Sequence, residues 1–119
     1  GNFRIQVFDR RGRFLRAWGQ VGDHFGNLAR PRGLAVDRHG HVYVTDAAYQ
    51  NFQIFTGDGQ LLLPVGQGGV GDGPADFVLP AGIAVDDHDF VYVVDQVYRK
   101  VEVLRLLGPD ERRKTVDSR

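Results

Sequence analysis

The chain has 119 residues, of which 42% are hydrophobic and 25% charged, with 15 basic against 15 acidic side chains and no cysteine. That is the composition of an ordinary globular sequence of about one domain; without cysteine it forms no disulfide, thiolate metal site or c-type haem attachment of its own. No apolar run approaches the ~18 residues a membrane helix needs, and no secretory leader is visible, Gly1 standing already within a repeat.

Charge is spread unevenly along the chain. Residues 1–44 carry eight arginines against three aspartates, residues 45–98 eight aspartates and no lysine or arginine, and residues 99–119 seven basic against four acidic side chains. The acidic middle argues against a general polyanion-binding surface, which needs a clustered basic footprint. Nucleic acid is therefore not the expected partner.

From the N-terminus, strands are expected at about residues 3–9 and 13–18, on either side of Arg11-Gly12. Residues 33–37 form a small apolar run ending in the turn sequence Asp37-Arg38-His39-Gly40. Val42-Tyr43-Val44 is rich in β-branched and aromatic residues, residues 52–55 alternate, and residues 61–65 follow Asp58-Gly59 and precede a glycine-rich connection. Short runs of this kind bounded by turn residues read as strands, and no segment sustains helical periodicity.

The pattern then returns. Pro31-Arg32-Gly33-Leu34-Ala35-Val36-Asp37 comes back 49 residues later as Pro80-Ala81-Gly82-Ile83-Ala84-Val85-Asp86, and His41-Val42-Tyr43-Val44-Thr45-Asp46 as Phe90-Val91-Tyr92-Val93-Val94-Asp95. A partial earlier copy matches Ile5-Gln6-Val7-Phe8-Asp9 to Phe52-Gln53-Ile54-Phe55-Thr56 at a spacing of 47, the difference falling in the longer glycine-rich loop. A period of this length marks stacked supersecondary units, and four antiparallel strands per unit is one propeller blade.

The motifs P-x-G-[LI]-A-V-D, V-Y-V-x-D and [FIV]-x-[IV]-F resemble the NHL repeat of six-bladed β-propellers. The resemblance implies an all-β chain: a partial propeller over residues 1–107, with two outer strands of a first blade (2–19), a second blade (30–66), a third (79–107), and a polar extension (108–119). Nine strands are expected where a six-bladed ring needs about two dozen. The remaining blades are expected from a longer parent chain, of which this is the C-terminal part, or from other copies. The third blade stops after three strands, as in propellers whose last blade borrows its outermost strand from the N-terminus. Residues 51–55 and 79–83 look most similar to bacterial NHL proteins beside multihaem cytochromes. That likeness implies a non-catalytic scaffold binding a protein partner, a multihaem cytochrome among the candidates, in a periplasmic or extracellular setting, with no cofactor. The alternatives are a metal-dependent lyase or hydrolase of the six-bladed type and an RNA-binding NHL domain.

The residues that look chemical mostly repeat. Asp46 and Asp95 end equivalent strands and Asp37 and Asp86 open equivalent turns. A carboxylate near a ring axis could act as a base or ligand, but recurrence in each unit favours structural turn residues. His39 and His88 are equivalents in a turn, and with His41 and His24 they form no recognised ligand spacing. The glycines of Gly66-Gln67-Gly68-Gly69-Val70-Gly71 are followed by a strand, not by the helix a phosphate loop opens. Arg10-Arg11-Gly12-Arg13 and Glu111-Arg112-Arg113-Lys114 read as solvated charge. Candidate partner-binding loops carry Tyr49 and Gln50, their equivalents Tyr98 and Arg99, and His24, Phe25, Asp72 and Asp76 in the connections between units, because loops on a rigid scaffold carry recognition.

Overall fold

The computed structural model of the chain describes residues 4–19, 28–66, 77–106 and 116–118. Among these, every regular element is a strand: β1 Ile5–Phe8, β2 Phe14–Trp18, β3 Pro31–Val36, β4 Val42–Asp46, β5 Asn51–Phe55, β6 Leu61–Val65, β7 Pro80–Val85, β8 Phe90–Asp95, β9 Lys100–Leu106 and β10 Val116–Ser118. They form a hairpin, β1-β2, and two four-stranded antiparallel sheets, β3-β4-β5-β6 and β7-β8-β9-β10. No helix among the described residues is long and apolar enough to cross a membrane.

One turn design builds four of the hairpins. Gly12, Gly40, Gly59 and Asp89 each take a positive φ, from 66° to 93°. Each donates its amide to the residue three positions back, Asp9, Asp37, Thr56 and Asp86, at 3.0 to 3.1 Å. That leading side chain then accepts from the backbone beyond the turn, as Asp37 Oδ1 does from the amides of His39 and His41 at 2.8 and 2.9 Å. A type I turn closed by a left-handed residue suits glycine and tolerates aspartate.

Packing follows from the two faces of the middle sheet. Val42, Val44 and Phe55 share one face and pack with Leu28 against Ile5 and Trp18 of the first hairpin. Tyr43, Phe52 and Ile54 take the other face and meet Phe77, Val91, Val93 and Leu104 of the third sheet. With both faces covered, every residue of β4 and β5 is buried, whereas β8, covered on one side, alternates. Sheets stacked face to face bury alternate residues in this way.

Two features extend beyond the expected nine strands. Val116–Ser118, inside the segment read as a polar extension, pairs antiparallel with β9 from Val116↔Leu106 to Ser118↔Leu104. The chain's own tail thus takes the outer place expected for an N-terminal strand, because an edge strand presents unpaired backbone groups to whatever extended segment lies nearest. The inner strands also touch: a Cβ on Gly33 would run into the carbonyl oxygen of Ala81, a close approach only glycine permits. Beside it, Thr45 Oγ1 accepts from the Gly33 amide at 2.8 Å and donates to the Ala81 carbonyl at 2.7 Å, clipping the second sheet to the third.

Candidate functional site: the loop rim

Strand alternation puts the β4–β5 and β8–β9 turns on one rim of the stack, together with the incoming segments before β3 and β7. Asp46 sits fully buried beneath this rim. Its Oδ2 accepts from the Ala29 amide at 2.8 Å and from Arg30 at 3.1 Å, while its Oδ1 accepts from Ala48 and Tyr49 at 3.0 and 3.2 Å. Asp95 repeats the device with Val78, Leu79, Val97 and Tyr98 at 2.8 to 3.5 Å. Each carboxylate ties the entering chain to the following turn. Burial raises the Asp95 carboxyl, but the amides of Val78, Tyr98, Val97 and Leu79 outweigh it and hold it below the usual value.

On this frame the candidate recognition residues take different places. Tyr49 and Tyr98 are half-buried, and the Lys100 ammonium lies 5.3 Å from the Tyr98 ring centre. Gln50, at φ 57°, donates from Nε2 to the Val78 carbonyl at 3.2 Å, tying its turn to the segment that enters the third sheet. Arg99, at φ 54°, is exposed. Arg32 Nη2 donates to Gln96 Oε1 at 3.5 Å across the same rim. His24, Phe25, Asp72 and Asp76 lie outside the described residues.

The opposite rim holds Asp37, Asp86, His39, His41 and His88. Asp37 and Asp86 head their turns, and each also accepts from a tyrosine hydroxyl at 2.9 Å, Tyr43 and Tyr92. For both, burial works against ionisation, yet hydrogen bonds from neighbouring amides and the phenol hold the carboxyl below its ordinary value. Burial first, then the bond to Asp37, pushes the Tyr43 phenol up. The Asp–Tyr spacing of six residues recurs in both units, and the bond it makes is set by the strand that follows the turn.

His39 Nε2 lies 3.4 Å from Asp89 Oδ2, with Arg38 Nη2 also at 3.4 Å; His41 Nδ1 lies 3.3 Å from Asp37 Oδ2, and His88 stands in an exposed turn. Asp89 therefore faces the second sheet's turn from the third, a contact that sequence spacing does not reveal. Among the described residues, no three His, Cys, Asp or Glu side chains gather where they could hold one metal ion.

These pKa directions fix a sign for acid stability. Asp37, Asp86 and Asp95 titrate lower in the folded chain than the ordinary 3.8, so their stabilisation is present above the unfolded value and lost as pH falls through the folded one. The urea midpoint followed by Trp18 fluorescence is expected to hold between pH 7 and 5 and to drop below about pH 4. A midpoint level down to pH 2.5 contradicts this.

Antiparallel four-stranded sheets stacked through alternating apolar faces, with glycine at the inner contact, are β-propeller blades. The match to known proteins is of the same type: residues 28–56 match the NHL repeat. The E3 ubiquitin-protein ligase TRIM71 of Xenopus tropicalis is 46% identical over 39 residues, 33% of this chain and 5% of that protein. The E3 ubiquitin-protein ligase NHLRC1 of Rattus norvegicus is 34% identical over 67 residues, 56% of this chain and 17% of that protein, as is its Mus musculus counterpart. The chain thus spans a small part of the curated relatives it matches.

Proposed function

We propose that this chain is a non-catalytic propeller segment that binds a protein partner through the rim carrying Tyr49, Gln50, Tyr98 and Arg99. The observation behind it is the double use of one frame: Asp46 and Asp95 are consumed in holding equivalent turns in place, leaving the turn tips as the variable surface. Arg99 is an exposed cation where Gln50 ties down its own loop.

The reading includes further blades. Gly82 holds the place of Gly33, yet a Cβ there would meet nothing closer than Val94 Cγ2 at 3.7 Å. Tyr92, Val94 and Val101 are 36%, 41% and 57% exposed, against 4%, 0% and 0% for their equivalents Tyr43, Thr45 and Phe52. A glycine without a steric neighbour beside an uncovered apolar face fits a ring that continues past the third sheet, six blades being the count the sequence likeness suggests.

The setting is proposed in two forms. Residues 51–55 and 79–83 favour an extracytoplasmic assembly with a multihaem cytochrome; the names of the relatives favour a part of a ubiquitin ligase. Crosslinking in the native source followed by mass spectrometry tests the rim. Tyr98→Ala and Arg99→Glu are expected to weaken partner capture about tenfold, while Arg11→Glu on the opposite rim leaves it unchanged. Equal loss from both rims, or none from either, removes the proposal. A haem-bearing partner identifies the first setting, and a polypeptide ubiquitinated in a rim-dependent way the second.

A further inference from the structure

Asn51 is fully buried, and among the described residues neither its Oδ1 nor its Nδ2 finds a hydrogen-bond partner. It opens β5, paired across the ladder with Asp46, on the face that packs toward the first hairpin with Val44 and Phe55. Turning the amide over does not help, because both ends lack a partner. A buried amide with donors and acceptor unmet is strongly disfavoured.

The repeat supplies a comparison. The equivalent position in the third unit is Lys100 and in the first Arg4. Lys100 lies on the third sheet's face toward the second, and its long chain carries the ammonium out to the Tyr98 ring. Asparagine at the same place between first and second units stops two atoms short. Its polar end stays where a longer side chain would continue, beside Asp46, whose oxygens already accept four backbone amides.

We infer that the seam between the first hairpin and the second sheet is an internal hydration site, in which a bound water accepts from Asn51 Nδ2 and donates to Oδ1 in the space that Lys100 fills in the next seam. Buried waters take up such unmet groups where two or more polar partners converge. The water makes this seam polar at its rim end, unlike the apolar packing of Val42, Val44 and Phe55 below it.

A crystal structure of the full chain at high resolution, with melting curves of Asn51→Leu, tests the inference. Expected are a water within about 3.2 Å of both amide atoms and a melting temperature for Asn51→Leu lower by several degrees, since leucine offers the water no bond. Asn51→Ala, which fits without overpacking, keeps the comparison readable if the leucine variant does not fold; it too is expected to melt lower and to lose the bridging water, because both amide atoms that hold it are gone. A dry amide, an amide bonded to another protein group, or a variant that melts higher than the parent overturns the inference.

Discussion

Gly33→Val is expected to destabilise the chain by about 3 kcal/mol, the sum of overpacking at a site with no free volume and the loss of hydrogen bonds worth about 1 kcal/mol each. The new side chain must displace the Ala81 carbonyl, and the displacement opens the Thr45 clip that joins Gly33 to Ala81. β-Branching normally favours a strand, so propensity and packing point in opposite directions, and packing wins because the obstacle is backbone. In melting curves the loss corresponds to roughly 10 °C. Gly82→Ala is the control: with only Val94 nearby, it is expected to be neutral in the 119-residue chain and costly within a ring that covers the third sheet. Equal melting of Gly33→Val and the parent would falsify the close-approach account.

Asp46→Ala is expected to cost about 3 kcal/mol, because several backbone amides lose their acceptor at about 1–3 kcal/mol for each that stays buried. The carboxylate is buried, and the amides of Ala29, Arg30, Ala48 and Tyr49 lose their acceptor together. Some of these amides lie near the surface and recover bonds to water, which keeps the cost below a simple sum of four. Asp46→Asn retains one carbonyl oxygen and is expected to cost about half as much. Because the chain has one tryptophan, and Trp18 packs against Phe55 with ring centres 4.8 Å apart and planes tilted by 45°, urea unfolding followed by its fluorescence reports on the neighbouring seam directly. An unchanged midpoint for Asp46→Ala contradicts the clamp.

Much of the fold was legible because blades reuse local chemistry. Asp37-Arg38-His39-Gly40 predicts its own turn: the aspartate accepts within four residues and the glycine supplies the positive φ. The second copy, Asp86-Asp87-His88-Asp89, achieves the same turn with Asp89 at φ 66°, so the repeat was readable even where glycine is absent. The alternating strands 52–55 and 90–95 likewise carry their two faces in their order. The roles of Thr45 and Gln50 were not legible: each bonds a carbonyl at least 28 residues away, and nothing local distinguishes them from other polar residues. Asn51 occupies a repeat position that is polar in each unit, with Arg4 and Lys100 as its equivalents, and its unmet amide depends on which atoms surround it. β10 is not legible in the sequence, because three residues, Val116-Asp117-Ser118, have no pattern of their own and become a strand only against the edge of β9.

The order of residues by itself determined β1 to β9, the four turns built alike and the number of units, because hydrogen bonds within a few residues and period-two alternation are properties of a short stretch of chain. Only the tertiary structure decided which glycine is indispensable, which backbone amides each carboxylate holds and which apolar face stays open. Gly33 and Gly82 are equivalents in sequence and differ only in whether another strand lies against them, and a neighbour brought close by stacking leaves no mark on the residues it meets.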